Sequence, residues 1–216
     1  MDVECEQAIR DIILDRFPDH GFYGEESGRT GEGEENLWLV DPIDGTKSFI
    51  RGYPFFSTQI ALMRGAELAL GVSSGMLFDE LAWAERGNGA WLNGERIRVS
   101  DISELEQATI STGNLRSLAR SDGWQRLGDL VARAWRTRGY GDFYHYHLLA
   151  SGKIEAVIES DVNILDIAAV SVIVEEAGGR FTDLNGAPLG LDTRSVLAAN
   201  SALHAQYLKH LEGYVD

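Results

Sequence analysis

The chain has 216 residues and a formal net charge of −15 at pH 7, with 44% hydrophobic and 25% charged residues. This composition is typical of a globular domain and excludes disordered and fibrous classes, and the acidity argues against non-specific nucleic-acid binding, which needs clustered Lys and Arg. No apolar run is long enough to span a bilayer, the start lacks the regions of a signal peptide, and the single cysteine, Cys5, allows no internal disulfide. We therefore predict one cytoplasmic domain over residues 1–216, with no membrane and no nucleic-acid partner.

Hydrophobic spacing predicts the helices and strands in chain order. Residues 3–17 have apolar side chains at helical spacing, and Pro18 ends this helix. A buried strand at 37–41 and an antiparallel meander follow, with strands predicted at 55–63, 68–74 and 80–86. The second half alternates: strands near 108–113, 137–140 and 154–159, with helices near 123–135 and 142–151. A helix at 167–177 stops at Gly178-Gly179, and a strand at 197–200 precedes a helix that we expect Ser201 to cap. Mixed sheets between helical layers make the fold class α/β or α+β.

The most informative stretch is W-L-V-D-P-I-D-G-T-K-S-F, residues 38–49. Asp41 ends a buried strand, and Asp44-Gly45-Thr46 turns the chain into a short helix. Two carboxylates and the carbonyl of Ile43 can converge on one point, and Mg²⁺ accepts such oxygen ligands. The alternative is an ordinary turn after a strand, because Asp-Gly turns are common.

Two further acidic segments each have a plain alternative. The G-E-E-S segment at 24–27, with Glu25 and Glu26, could be a solvated turn, and Asp166 could simply cap the helix that follows it. Taken together, the acids predict a site for Mg²⁺, while the N–H groups of Gly45 and Thr46 at a helix start offer donors to a phosphate. Glu25 and Thr46 are the candidate pair that orients a water for metal-assisted hydrolysis.

These motifs resemble those of the inositol monophosphatase-like, Mg²⁺-dependent phosphatases. The first family signature is similar to W-x-x-D-P-x-D-G-T-x-x-F. The other signature resembles W-D-x-A-A followed by E-A-G-G, which stands here as L-D-I-A-A from Leu165 and E-A-G-G from Glu176. The resemblance implies a layered α/β/α/β/α sandwich of the inositol monophosphatase and fructose-1,6-bisphosphatase type, a homodimer, and direct attack by a metal-activated water. It also implies the metal ligands, which are Glu25, Asp41, the carbonyl of Ile43, Asp44 and Asp166. Gly45 and Thr46 match the phosphate-binding turn, and Glu26 matches an acid just outside the ligands.

Within that family, residues 41–56 and 138–179 are most similar to the histidinol-phosphatase branch. A histidinol phosphate carries an ammonium and an imidazole, so its site needs further acids, and Asp142 and Glu159 are the candidates. Glu159 also matches a position that contacts substrate hydroxyls in inositol enzymes, and Asp142 could equally cap a helix. An inositol monophosphatase is the second candidate, and a sugar or nucleotide phosphatase is the third.

Departures from the family pattern leave a rival of another class. Leu165 replaces the usual Trp, and the chain opens at Asp2 where members have a further helix and hairpin, so we expect a truncated or mis-started chain in which the role of Asp2 is open. A non-catalytic metal-binding homologue is therefore the rival interpretation. A zinc site at His145 and His147 has little support, since they would share a face on a strand but not on a helix. His20, His204 and His210 are expected at the surface.

Overall fold

Two β-sheets organise the computed structural model, which describes residues 1–31 and 35–211. The first sheet has the strand order β2-β1-β3-β4-β5-β6-β7-β8, and its strands are β1 (Gly21–Gly24), β2 (Gly28–Thr30), β3 (Asn36–Asp44), β4 (Ser57–Arg64), β5 (Glu67–Gly75), β6 (Glu80–Glu85), β7 (Gly89–Leu92) and β8 (Glu95–Ile97). Its neighbouring strands are antiparallel except for the parallel pair β1 and β3. The second sheet is mixed and has the order β10-β9-β11-β13-β12, with β9 (Thr109–Gly113), β10 (Arg136–Arg138), β11 (Ala156–Ser160), β12 (Gly179–Thr182) and β13 (Ser195–Asn200).

Helices fill the layers on both sides of these sheets. They are α1 (Asp2–Arg16), α2 (Thr46–Ile50), α3 (Gly123–Arg133), α4 (Asp142–Ala150), α5 (Ile164–Glu176) and α6 (His204–Leu211). Helix α1 packs on the outer face of the first sheet, α4 and α5 lie between the sheets, and α3 and α6 cover the outer face of the second. This order of layers confirms the predicted α/β/α/β/α sandwich. Among the described residues, no helix has the length and apolar character that crossing a bilayer requires.

Strand alternation decides which side chains reach the central helical layer. In β3, Trp38 and Val40 pack toward α1, whereas Leu37 and Leu39 pack toward the central helices. Asp41 continues the inner set. In the second sheet Val157 belongs to the central core, so Glu159, two residues on, faces the same layer. Strand β3 and strand β11 therefore both direct acids toward the space beside α4 and α5.

Most predicted elements are present, and the differences are local. Among the described strands of three or four residues, β10 matches the strand predicted near 137–140, whereas β1, β2, β7, β8 and β12 are not predicted, because so short a run carries little periodicity. Ser201 is not the cap of the last helix: its hydroxyl donates to the Gly178 carbonyl at 2.6 Å, and α6 begins at His204. The expectation that His204 lies at the surface is also wrong, because it is 4% exposed and hydrogen-bonds Thr182.

Candidate metal centre

A bulge at the end of β3 places two carboxylates on one face. Asp41 is paired with Gln59 of β4 and Asp44 with Ser57, so three steps along β3 match two steps along β4. Residues three apart in a regular strand point to opposite faces, and the extra residue of the bulge removes that difference. The backbone N–H of Ile43 donates to Asp41 Oδ1 at 2.9 Å, which fixes the first carboxylate. The D-P-I-D spacing thus produces a pair of converging acids.

Asp166 joins them from the first turn of α5, but it is not the helix cap. The cap is Asn163, whose side chain accepts a hydrogen bond from the N–H of Leu165, while Asp166 Oδ2 accepts one from the Asn163 N–H at 3.0 Å. This reciprocal arrangement is a capping box, and it holds the Asp166 side chain in a fixed rotamer. The alternative that Asp166 caps the helix is wrong, because the cap lies three residues earlier and Asp166 occupies the third helical position.

The three aspartates form a compact group. One carboxylate oxygen each from Asp41, Asp44 and Asp166 lies within 4.8 Å of the others, and Asp41 and Asp44 are only 2% and 7% exposed. Glu25, in the turn after β1, is within hydrogen-bonding reach of the Asp41 side chain. The Ile43 carbonyl accepts a hydrogen bond from Thr46 Oγ1 at 3.0 Å. The structure thus brings Glu25, Asp41, Asp44 and Asp166 into one cluster.

Burial and mutual repulsion make this cluster a poor place for unneutralised charge. Burial, followed by the charges of Asp44, Glu25 and Asp166, raises the pKa of Asp41 to about 10. Burial also raises the pKa of Asp166 to about 6 and the pKa of Asp44 well above its ordinary value. A divalent cation would relieve this cost, and an all-oxygen carboxylate set is the donor type that suits Mg²⁺. The residues present therefore fit the metal that the sequence predicts.

The turn into α2 supplies hydrogen-bond donors beside the acceptor carboxylates. Gly45 has φ of +82°, and a methyl group there would lie 2.5 Å from the Phe55 carbonyl oxygen, so both conformation and space require glycine. The chain then enters α2 at Thr46. The first N–H groups of a helix have no partner within it, so Gly45 and Thr46 present donors at this end of the bulge.

Asp142 and Glu159 lie next to the cluster, as the substrate prediction requires. Both acids contribute to the raised pKa of Asp44. Asp142 makes no helix-capping hydrogen bond, so that alternative is wrong; instead its carboxylate accepts from Ser48 Oγ at 3.2 Å, beside Gly45. Burial raises the pKa of Asp142, and the Ser48 hydrogen bond partly opposes this. Two additional acids thus border the centre.

Glu159 is held by hydrogen bonds from α4. Tyr146 donates to its Oε2 at 2.5 Å, and His145 Nε2 lies 3.2 Å from the same oxygen. His145 also contacts Ser111, so this histidine is committed to serine and glutamate partners. Within the described residues, the aspartate triad is the only group of histidine, cysteine or acidic side chains arranged to hold a metal, which leaves the zinc alternative unsupported.

The turn that carries Glu25 and Glu26 is anchored to α1. The N–H groups of Glu26 and Ser27 donate to the carboxylate of the buried Glu6 at 2.8 and 2.9 Å. Burial, and the charges of Glu26, Asp2 and Glu6, raise the pKa of Glu25. The side chains of Glu25, Glu26 and Ser27 are exposed, as the solvated-turn alternative expects, while the backbone of the turn is fixed by Glu6. Asp2 lies close enough to act on Glu25.

Several residues that support the centre are not predicted from the sequence. Ser57 donates to Asp44 Oδ2 at 2.9 Å, and Ser48, His145 and Tyr146 hold the two bordering acids. No local pattern predicts these contacts, because they depend on strand register and helix packing. Asn163 is different, since an N-x-x-D spacing before an apolar helix is a capping-box signal that could have identified it.

Comparison with known proteins gives a consistent result. The model described as "Inositol monophosphatase family" matches residues 1–216. A histidinol-phosphatase from Mycobacterium tuberculosis is 37% identical over 215 residues, which cover 97% of this chain and 82% of the relative. A fructose-1,6-bisphosphatase/inositol-1-monophosphatase from Aquifex aeolicus is 36% identical over 220 residues, with 100% and 82% covered. Among solved structures, the extragenic suppressor protein suhB from Bartonella henselae has a TM-score of 0.91 at 31% identity, covering 99% of this chain and 84% of that one.

Proposed function

The chain belongs to the inositol monophosphatase family, and on this premise we propose that it is an Mg²⁺-dependent hydrolase of phosphate monoesters. The observation that carries the proposal is the aspartate triad, in which Asp41 and Asp44 are buried, with Glu25 beside it and the start of α2 directly after Asp44. Buried like charges at this density are costly in a purely structural role. A cation and an anionic substrate group give each of these features a use.

The proposed ligands are the carboxylates of Glu25, Asp41, Asp44 and Asp166 and the carbonyl of Ile43. When bound, Mg²⁺ would lower the pKa of a coordinated water and neutralise phosphoryl oxygens. The protein supplies the orientation: the bulge fixes Asp41 and Asp44, and the capping box fixes Asp166. Glu26 lies outside this set and acts on it through its charge.

Thr46 and Glu25 are proposed to orient the attacking water. Because the Thr46 hydroxyl donates its hydrogen to the Ile43 carbonyl, its oxygen is left to accept one from a water. The Glu25 carboxylate, whose pKa is raised by burial, would accept the other hydrogen of that water. The N–H groups of Gly45 and Thr46 would then donate to the phosphate at the start of α2.

We propose L-histidinol phosphate as the substrate, which would place the enzyme in histidine biosynthesis. Asp142 and Glu159 support this, because both acids border the centre and a cationic leaving group needs negative charge there. Relatives named histidinol-phosphatase from three organisms, at 35 to 38% identity, point the same way. Inositol 1-phosphate is the second candidate, since relatives whose names include inositol-1-monophosphatase are 32 and 36% identical and Glu159 could equally accept from inositol hydroxyls. We also propose that the protein is cytoplasmic and that it forms a homodimer. Light scattering after gel filtration would test the dimer.

The deciding experiment measures phosphate release with Mg²⁺ from L-histidinol phosphate and from myo-inositol 1-phosphate in parallel. We expect a clear preference for histidinol phosphate that Asp142→Asn reduces, because the variant loses the negative charge while keeping the shape. A preference for inositol phosphate would overturn the substrate and leave the metal chemistry intact. Mg²⁺ binding without release of phosphate from either ester, or from fructose 1,6-bisphosphate, would favour the non-catalytic homologue.

A further inference from the structure

A line of hydrogen-bonded side chains connects Asp44 to the edge of the central layer. Ser57 donates to Asp44, Gln59 Nε2 contacts both Ser57 Oγ at 2.7 Å and Ser73 Oγ at 3.0 Å, and Ser73 Oγ lies 2.8 Å from His147 Nε2. His147 Nδ1 lies 2.8 Å from a carboxylate oxygen of Glu80, whose side chain is 15% exposed. The four residues between the acids are all buried. We call Ser57, Gln59, Ser73 and His147 the buried relay.

The relay is assembled from three packed elements. Gln59 and Ser73 are directly opposite each other in the antiparallel pair of β4 and β5, and Ser57 is two residues before Gln59 on the same face. His147 comes from α4, on top of that face. At these inward positions a purely structural core would hold apolar side chains, as it does at Ala61 and Leu39 nearby.

The hydrogen bonds of the relay point outward from Gln59 in two directions, through Ser57 to Asp44 and through Ser73 and His147 to Glu80. A carboxylate oxygen accepts, so His147 Nδ1 donates to Glu80, and in that tautomer His147 Nε2 accepts from the Ser73 hydroxyl. Gln59 Nε2 has two hydrogens, which serve Ser73 and Ser57, and the hydroxyl hydrogen of Ser57 is therefore left for Asp44. Each contact has one donor and one acceptor, and the relay ends on a donor directed at Asp44 Oδ2.

Stability alone does not account for this arrangement. The Oε1 atom of Gln59 is buried and has no hydrogen-bond partner among the described residues. An orphaned buried carbonyl is unfavourable, and an apolar side chain of the same length would avoid it. The amide is thus costly to the fold while its N–H groups hold the two serines.

We propose that the buried relay positions Asp44 for Mg²⁺, by holding Oδ2 with the Ser57 hydroxyl so that the other oxygen is directed at the cation. The inference rests on the proposed metal function and adds four positioning residues to it. Partners of metal ligands fix ligand orientation, and their loss typically weakens metal binding by about 10- to 100-fold. Because Gln59 and Ser73 act through Ser57, we expect smaller losses for them, of about three- to tenfold.

The test compares Mg²⁺ dissociation constants from calorimetry with unfolding midpoints measured in EDTA. Gln59→Met removes the donors and the orphaned carbonyl at similar length, so it should weaken Mg²⁺ binding while leaving the metal-free midpoint unchanged or higher. Ser73→Ala should also weaken binding, and Ser73→Thr, which restores a hydroxyl, should bring it back. Ser171→Ala is the matched control, since Ser171 is an equally buried serine that donates only to its own helix at Ala168.

The outcomes separate the two proposals. Weaker binding in Gln59→Met without a lower metal-free midpoint, together with a Ser171→Ala variant within twofold of the unmodified protein, would support the relay. Unchanged binding in both Gln59→Met and Ser73→Ala, or an equal loss in Ser171→Ala, would overturn it while the metal centre stands. If the unmodified protein binds no Mg²⁺, the proposed function fails and the relay fails with it.

Discussion

Asp41 lies in the metal centre among three other carboxylates, and burial with their charges raises its pKa to about 10. Without a cation, this residue is held in an environment that opposes its charged form. The same environment makes it a strong ligand once a cation is present. The stability of the metal-free fold therefore favours a neutral side chain at this position, whereas metal binding needs the charged carboxylate.

Asp41→Asn should separate the effect of this residue on stability from its effect on metal binding. We expect the metal-free variant to unfold at a higher temperature than the unmodified protein, because an amide of the same shape is always neutral, whereas Asp41 must take up a proton on folding near neutral pH. Turnover should fall by more than about 100-fold, since loss of an outer partner alone can cost that much. Thermal unfolding in EDTA and a phosphate-release assay measure the two effects. A variant that keeps its Mg²⁺-dependent stabilisation would contradict the assignment of Asp41 as a ligand.

A substitution at Gly45 tests the turn between β3 and α2. Gly45→Ala combines the strain of a positive φ with a methyl group 2.5 Å from the Phe55 carbonyl, so we expect a loss of about 1 to 3 kcal/mol and weaker phosphate binding. Gly52→Ala is the control, because Gly52 also has a positive φ, of +72°, but no atom of the described residues lies within 4 Å of the added methyl. Urea unfolding and the KM for substrate should show a larger effect at Gly45. Equal effects would mean that the contact with Phe55 is unimportant.

At the scale of elements, each ligand depends on how a helix or strand begins or ends. The bulge ends β3 so that Asp41 and Asp44 share a face, the capping box starts α5 so that Asp166 is fixed, and α1 holds the Glu25 turn through Glu6. A small shift of any one of these ends would move a ligand without touching the metal. The positions of the metal ligands are thus set by where these strands and helices begin and end.

Asn163 provides the test for α5. Asn163→Ala removes the cap acceptor, for which we expect a loss of about 1 kcal/mol and a modestly weaker affinity for Mg²⁺. Asn163→Ser keeps an acceptor and should remain close to the unmodified protein in both respects. Thermal unfolding and calorimetry would measure them side by side. If alanine and serine behave alike, the side-chain cap contributes nothing to Asp166.

The sequence predicts some of these local structures and not others, for physical reasons. The D-P-I-D-G-T spacing predicts converging acids and a glycine turn, because those features follow from residues that are adjacent in the chain. The capping role of Asp166 is misplaced, since one acid before a helix does not tell whether it is the cap or the third residue. Glu6 and Ser57 are not predicted at all, because their contacts are created by packing between elements that are distant in sequence. The order of layers is expected only through the family resemblance.

For the whole molecule, the acids of the centre predict how stability depends on pH. In the unfolded chain Asp41 titrates near its ordinary value of 3.8, and in the folded protein near 10. Between these values the folded state binds more protons, so this contribution to stability is present at low pH and is lost as the pH rises toward 10. The metal-free protein should therefore unfold at a lower temperature at pH 9 than at pH 6.

The expected difference is about 10 °C, because one proton linked to folding over three pH units changes the free energy of unfolding by about 4 kcal/mol, and about 1 kcal/mol shifts the midpoint by roughly 2 to 4 °C in a domain of this size. Asp41→Asn should reduce it, and Mg²⁺ should bind more tightly at the higher pH because it competes with protons. Unfolding curves in EDTA across this range, with calorimetry at both ends, would measure the effect. A midpoint that rises steadily from pH 6 to pH 9 would contradict the assignment.

The ligands also come from distant parts of the chain, with strands β4 to β11 between Asp41 and Asp166. Such contacts form late in folding, because closing long loops costs entropy before any contact rewards it. A cation that recognises the finished centre therefore has nothing to bind in the folding transition state. Mg²⁺ should slow unfolding and leave the rate of folding almost unchanged, so that the bound metal acts as a kinetic lock on a chain that has already folded.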